Sequence, residues 1–151
     1  MPELKKDTWV VVAGSDKALF LRNLTDHQNP YLNVVGKEQQ DNPPDREQGA
    51  NRPGRKHDNG AGQRSAMEDT DWHELAKERF AAELSDILYK KAHAGEFEEL
   101  VLVAAPQVLG NLRPSLHKEV TDRLIAELPL TLTNHPVEEI ERLVKRELDA
   151  A

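Results

Sequence analysis

The fold is decided by one stretch near the start of the chain, Thr8-Trp9-Val10-Val11-Val12-Ala13. A continuous run of apolar, mostly β-branched residues is typical of a strand that is buried on both faces. The turn residues Gly14 to Lys17 follow it, and Ala18 to Leu24 then predict a second strand that forms a hairpin with the first. A third strand is predicted from about Tyr31 to Glu38. The chain therefore opens with an antiparallel meander.

A long helix is predicted from Asp71 to about Ala94. One face of this segment carries regularly spaced apolar residues, namely Trp72, Ala76, Phe80, Leu84, Ile87 and Leu88. Asp71 and Glu74 resemble a capping box at the start of the helix, and Gly95 is suited to the C′ position that ends one. The apolar face of this helix is expected to pack on the sheet.

In the last third of the chain, predicted strands and helices alternate. A buried strand is predicted at Glu99 to Ala105, and a short helical turn at Pro106 to Asn111. Four-residue apolar spacing predicts a helix from Pro114 to Leu128, a short strand follows at Leu130 to Leu132, and Pro136 opens a last helix. Such alternation implies right-handed crossovers and some parallel pairing. The whole chain is thus predicted to be one α/β domain, with a mixed sheet, flanking helices and a ribonuclease H-like topology.

Composition excludes several classes of function. The chain has no cysteine, which rules out disulfides, cysteine zinc sites and cysteine nucleophiles. The longest apolar run, Leu100 to Pro106, is too short for a membrane span, and the charged start of the chain does not fit a secretory signal. A cytoplasmic protein without membrane contact is therefore expected. The net charge of −7 disfavours nucleic-acid binding by the surface as a whole, so any RNA contact must be local.

The segment 40–70 breaks the apolar patterning and is the candidate functional region. It holds four of the chain's eight glycines and has few apolar residues, so we expect a long mobile loop between the third strand and the first helix. Residues 41–66 carry five basic and four acidic groups, an excess that the rest of the chain lacks. Arg52, Arg55, Lys56 and Arg64 could contact RNA phosphates. The alternative is a solvated linker without a binding role.

Other chemical sites have weaker support. The glycine-containing stretch before Lys56 lacks the Ser or Thr and the following helix that a P-loop requires. Acidic residues 68–71 are explained by the preference for acids at the start of a helix. The six histidines show no metal-ligand spacing, and Asp16 has no companion carboxylates at matching strand ends. Neither a metal nor a cofactor is predicted.

Several segments, in order along the chain, resemble the host attachment protein family, a group of bacterial proteins named for a role in attachment to host cells. They are Trp9–Ala13, Arg52–Arg55, Gly60–Glu68, Glu78–Ala81, Leu100–Pro106 and Leu109–Arg113. That family is in turn similar to the middle domain of archaeal and eukaryotic class I peptide release factors and of their ribosome-rescue relatives. The resemblance covers nearly the whole chain and implies the fold of that domain.

In those release factors, a Gly-Gly-Gln loop precedes a long helix and promotes hydrolysis of peptidyl-tRNA. Ala61-Gly62-Gln63 holds the equivalent place here, with Gly60 and Ala61 at the loop tip and alanine in place of the first glycine. The resemblance implies that Gln63 positions the hydrolytic water, that Gly62 allows close approach, and that the loop contacts the ribosome or tRNA. The alternative is a non-enzymatic cytoplasmic interaction protein that influences attachment to host cells.

Overall fold

The computed structural model describes residues 2–40 and 62–151. Within them, five strands form one sheet in the order β3-β2-β1-β4-β5. The strands are β1 (Trp9–Ala13), β2 (Lys17–Asn23), β3 (Leu32–Gln39), β4 (Leu100–Ala104) and β5 (Leu124–Leu128). The helices are α1 (Gly62–His93), α2 (Pro106–Leu112), α3 (Lys118–Thr121) and α4 (Val137–Ala150), with a 3-10 turn at Arg113–Ser115 between α2 and α3.

The sheet is mixed, which confirms the predicted fold class. β1 pairs antiparallel with β2, and β2 pairs antiparallel with β3, so the predicted meander is present. On its other side β1 pairs parallel with β4, and β4 pairs parallel with β5. Every residue of β1 and β4 is buried, because both faces of these central strands are covered.

The sheet separates two cores, which we call the α1 face and the α4 face. Side chains alternate along β1, so that Trp9 and Val11 point to the α1 face and Val10 and Val12 to the α4 face. The α1 face is covered by Phe80, Ala81, Leu84, Leu88 and Ala92 of α1 and by residues of α2 and α3. The α4 face is covered by Ile140, Val144 and Leu148 of α4.

The predicted apolar stripe of α1 is confirmed from Phe80 onward, but Trp72 and Ala76 are only half-buried and belong to neither core, and the predicted start of the helix is wrong. Phe80, Leu84 and Leu88 are buried, and Gly95 adopts the left-handed backbone (φ +75°) expected after a helix end. The helix nevertheless begins at Gly62, nine residues before Asp71. Those nine residues contain almost no apolar side chain, so hydrophobic periodicity could not reveal them.

The prediction for residues 114–132 is also wrong. Instead of one helix from Pro114 to Leu128, the chain forms the 3-10 turn, the short α3 and then β5, and Leu130 to Leu132 is not a strand. Four-residue spacing is ambiguous, since it places side chains on one face of a helix and, being even, on one face of a strand as well. Leu124 and Leu128 nonetheless reach opposite cores, because a register shift interrupts the β4–β5 pairing.

Among the described residues, no helix is long and apolar enough to cross a bilayer. The predicted mobile loop falls largely on residues 41–61, which lie outside the described ranges.

Candidate functional site

The residues of the predicted hydrolytic motif lie at the beginning of α1. Gly62 and Gln63 belong to its first turn and Arg64 follows them, so these three residues have helical backbone rather than forming a loop ahead of the helix. The remaining predicted site residues lie outside the described part of the chain: Arg52, Arg55, Lys56, Gly60 and Ala61.

The end of β3 and the middle of α1 meet at the end of the sheet where β1 finishes. Gln40, the residue after β3, donates its backbone N–H to the Asp16 carbonyl at 2.7 Å, in the turn after β1. The side-chain amide of Gln40 donates to the Ala76 carbonyl of α1 at 3.1 Å. These two hydrogen bonds fix the middle of α1 beside the carboxyl end of β1, an attachment that the sequence did not predict.

From this attachment α1 runs in two directions. Toward its C-terminal end it crosses the sheet, and the chain returns to the start of β1, where Trp9 N–H donates to the Glu99 carbonyl at 3.0 Å. Toward its N-terminal end it continues from Ala76 for fourteen more residues to Gly62. At 1.5 Å per residue this corresponds to about 20 Å of helix. The Gly62–Gln63 pair is therefore carried away from the body of the sheet.

The turn after β1 contains one acidic residue, Asp16, which is a candidate carboxylate ligand on sequence grounds. Asp16 is exposed there, and within residues 2–40 and 72–151 no three His, Cys, Asp or Glu side chains are grouped to hold a metal ion. The residue types needed for a ribonuclease H-like carboxylate site are not brought together in that part of the chain.

An aspartate–histidine pair elsewhere has a structural explanation. The His27 Nε2 atom lies 2.6 Å from the Asp149 carboxylate, and the Leu4 backbone N–H donates to His27 Nδ1 at 3.0 Å. Hydrogen bonds from Lys145 and from His27 lower the pKa of the Asp149 carboxyl below its ordinary value. Through these two contacts His27 ties the N-terminal segment to the end of α4.

The described fold is that of an α/β protein in which three of the candidate residues, Gly62, Gln63 and Arg64, lie at the N-terminal end of a long helix. The family model of bacterial archaeo-eukaryotic release factor family 12 matches residues 7–144. The chain belongs to this family. The release-factor part of the resemblance is thereby confirmed, while the name host attachment protein is not part of the match and stays a prediction. No curated protein matches the chain.

Proposed function

We propose that the chain promotes hydrolysis of peptidyl-tRNA on the ribosome, as a release or rescue factor acting in the cytoplasm. The observation that carries this proposal is the family match, which points to a release-factor-like role in translation and spans Ala61-Gly62-Gln63. The catalytic contribution is assigned to Gln63, whose neutral amide can orient a water molecule without itself titrating. Gly62, lacking a side chain, allows close approach of the ester.

The length of α1 supports this assignment. A reactive group about 20 Å along a helix from the sheet is poorly placed for chemistry in a crevice of its own protein. It is well placed to enter a deep site in a larger partner, where that partner supplies most of the electrostatic environment. Arg52, Arg55, Lys56 and Arg64 are assigned to the phosphates of that RNA partner.

Substitution of Gln63 tests the catalytic assignment. Gln63→Ala should leave ribosome binding nearly unchanged and abolish release of the peptide, because a water-orienting group stabilises the transition state more than the bound complex. The matched control is Gln28→Ala, since Gln28 is exposed in the turn region before β3. Equal peptide release by wild type and Gln63→Ala, measured on stalled ribosome complexes, would rule out the assignment.

The four basic residues are tested together by their effect on salt dependence. Changing Arg52, Arg55, Lys56 and Arg64 to alanine should weaken ribosome or tRNA binding. The slope of log affinity against log salt should become shallower, by up to the amount that the loss of about four phosphate contacts produces. The control removes four exposed basic groups of the described surface: Lys6, Lys90, Lys118 and Arg146. If both variants change the slope equally, total charge explains binding and the assignment fails.

A glycine substitution tests the departure from the release-factor motif. If position 61 requires a backbone that strains alanine, Ala61→Gly should raise the rate of peptide release. A wild type that neither binds ribosomes nor releases peptide, with no gain from Ala61→Gly, would defeat the enzymatic proposal. The non-enzymatic interaction protein would then take its place.

A further inference from the structure

A polar crevice of about 400 Å³ opens at the carboxyl edge of the sheet. Its walls are formed by the segments that follow three parallel strands, together with Lys77 of α1. These segments are the turn 14–17 after β1, Ala105 and helix α2 after β4, and residues 131–134 after β5. The chain leaves β4 toward the α1 face and leaves β5 toward the α4 face. Between such diverging connections is where open α/β sheets bind ligands.

The charges in this crevice favour an anion. Two ammonium groups, those of Lys17 and Lys77, line it together with one carboxylate, that of Asp16. Lys17 is held in place, since its Nζ donates to the Asn134 Oδ1 atom at 2.5 Å. Among the described residues, Lys77 forms a long ion pair of 3.7 Å with Glu74, whose side chain is half exposed. An exposed pair of this kind is weak, so it does not prevent Lys77 from engaging a ligand.

The remaining lining can both donate and accept hydrogen bonds. Beside four small or apolar residues, it has six hydroxyl and amide side chains: Ser15, Gln107, Asn111, Thr131, Thr133 and Asn134. Such groups suit the hydroxyls of a sugar. No aromatic side chain of the described residues lines the crevice, so stacking on a nucleobase has no platform there.

We propose that this crevice binds a ribose phosphate. Lys17 and Lys77 hold the phosphate, the Asp16 carboxylate accepts a hydrogen bond from a ribose hydroxyl, and the amide side chains bind the other sugar oxygens. The volume is at the lower end of the range for small-molecule sites and fits a group of this size. The recognised chemistry is shared by a free sugar phosphate and by the backbone of RNA.

This site is distinct from the one assigned to Gln63. The crevice adjoins Lys77, whereas Gln63 lies fourteen residues earlier on the same helix. Peptidyl-tRNA hydrolysis and ribose phosphate binding can therefore fail independently, and each has its own variants.

The test is titration of the full chain with ribose 5-phosphate, followed by calorimetry. Saturable binding is expected, and Lys77→Ala should weaken it by about 10-fold, the effect of one charge-assisted hydrogen bond. Lys90→Ala is the matched control, because Lys90 forms a comparable ion pair with Asp86 on the same helix, away from the crevice. Its affinity should stay at the wild-type value, and a thermal melt checks that both variants are folded.

A second variant separates a sugar site from a simple anion site. Wild type should prefer ribose 5-phosphate to 2-deoxyribose 5-phosphate or inorganic phosphate, and Asp16→Ala should abolish the preference for ribose while leaving phosphate binding intact. A short single-stranded RNA, titrated in parallel, shows whether the site prefers a free sugar phosphate or the RNA backbone. Binding of either ligand that depends on Lys77 supports the site. The proposal is overturned if neither ligand saturates, or if Lys90→Ala weakens binding as much as Lys77→Ala.

Discussion

The two helices that cover the sheet differ in how much of their length the core uses. α4 has 14 residues, and its buried side chains Ile140, Val144 and Leu148 extend to its last turn. α1 has 32 residues, and the buried side chains described on it begin only at Phe80. Residues 72–79 of α1 are exposed or half-buried, so packing on the sheet does not explain this part of the helix. Among the described side chains, the core therefore accounts for a smaller part of α1 than of α4.

The largest loss of folding stability is expected from a substitution on the α1 face. Phe80 is 3% exposed and packs in the core with Trp9 and Phe20, so Phe80→Ala should reduce the free energy of unfolding by roughly 3–5 kcal/mol. Denaturant unfolding measures this loss. A loss below about 1 kcal/mol would mean that the C-terminal half of α1 does not hold the sheet.

On the α4 face, Ile140→Ala should have a comparable or somewhat smaller effect. Ile140 is fully buried among aliphatic side chains, and its truncation is expected to cost roughly 2–5 kcal/mol. The same unfolding experiment compares it directly with Phe80→Ala. If Ile140→Ala proves clearly more damaging, the aliphatic face stabilises the fold more than the aromatic one.

A much smaller effect is expected in the N-terminal half of α1. Leu75 is 53% exposed, and Leu75→Ala should change the free energy of unfolding by less than about 0.5 kcal/mol. A loss approaching that of Phe80→Ala would show that this half of the helix packs against the protein after all, and would remove the contrast between α1 and α4.

The smallest effect concerns pH and the end of α4. Since the hydrogen bonds from Lys145 and His27 lower the pKa of Asp149, its carboxylate stabilises the folded state above the unfolded pKa of about 3.9. That contribution is lost as the pH falls through the lower folded-state value. Asp149→Asn should therefore flatten the decline of the unfolding midpoint in this acidic range. An unchanged acid profile would show that the Asp149 contacts do not contribute.

The central strands and the last helix could be predicted because their patterns are unambiguous. A run such as Trp9 to Ala13 has few alternatives to a buried strand, and Pro136 marks a helix start that the structure confirms within one residue. The segment between Pro114 and Leu132 could not be predicted, because its leucine spacing fits both a helix and a strand. Pairing with β4 decides the matter, and that contact is not visible in local sequence.

The Gln63 position and the crevice also differ in how far the sequence predicts them. Gln63 stands in a contiguous motif, so its role could be proposed from the sequence alone. The crevice is assembled from Ser15, Lys77, Asn111 and Thr131, which are dozens of residues apart and meet only because three strands end at one edge. No spacing rule along the chain connects them. They are brought together by the parallel pairing of β1 with β4 and of β4 with β5.

The hydrogen bond between Gln40 and Ala76 has a consequence for the architecture of the chain. Gln40 follows β3, and Ala76 is the residue at which α1 meets the sheet. Because these two residues are in contact, the 35 residues between them start and end at the same place on the rest of the domain. The rest of the domain should tolerate replacement of those 35 residues by a short flexible linker, since loop-closure entropy changes slowly with length. Segments of other lengths and sequences could be inserted between Gln40 and Ala76 without redesigning either core.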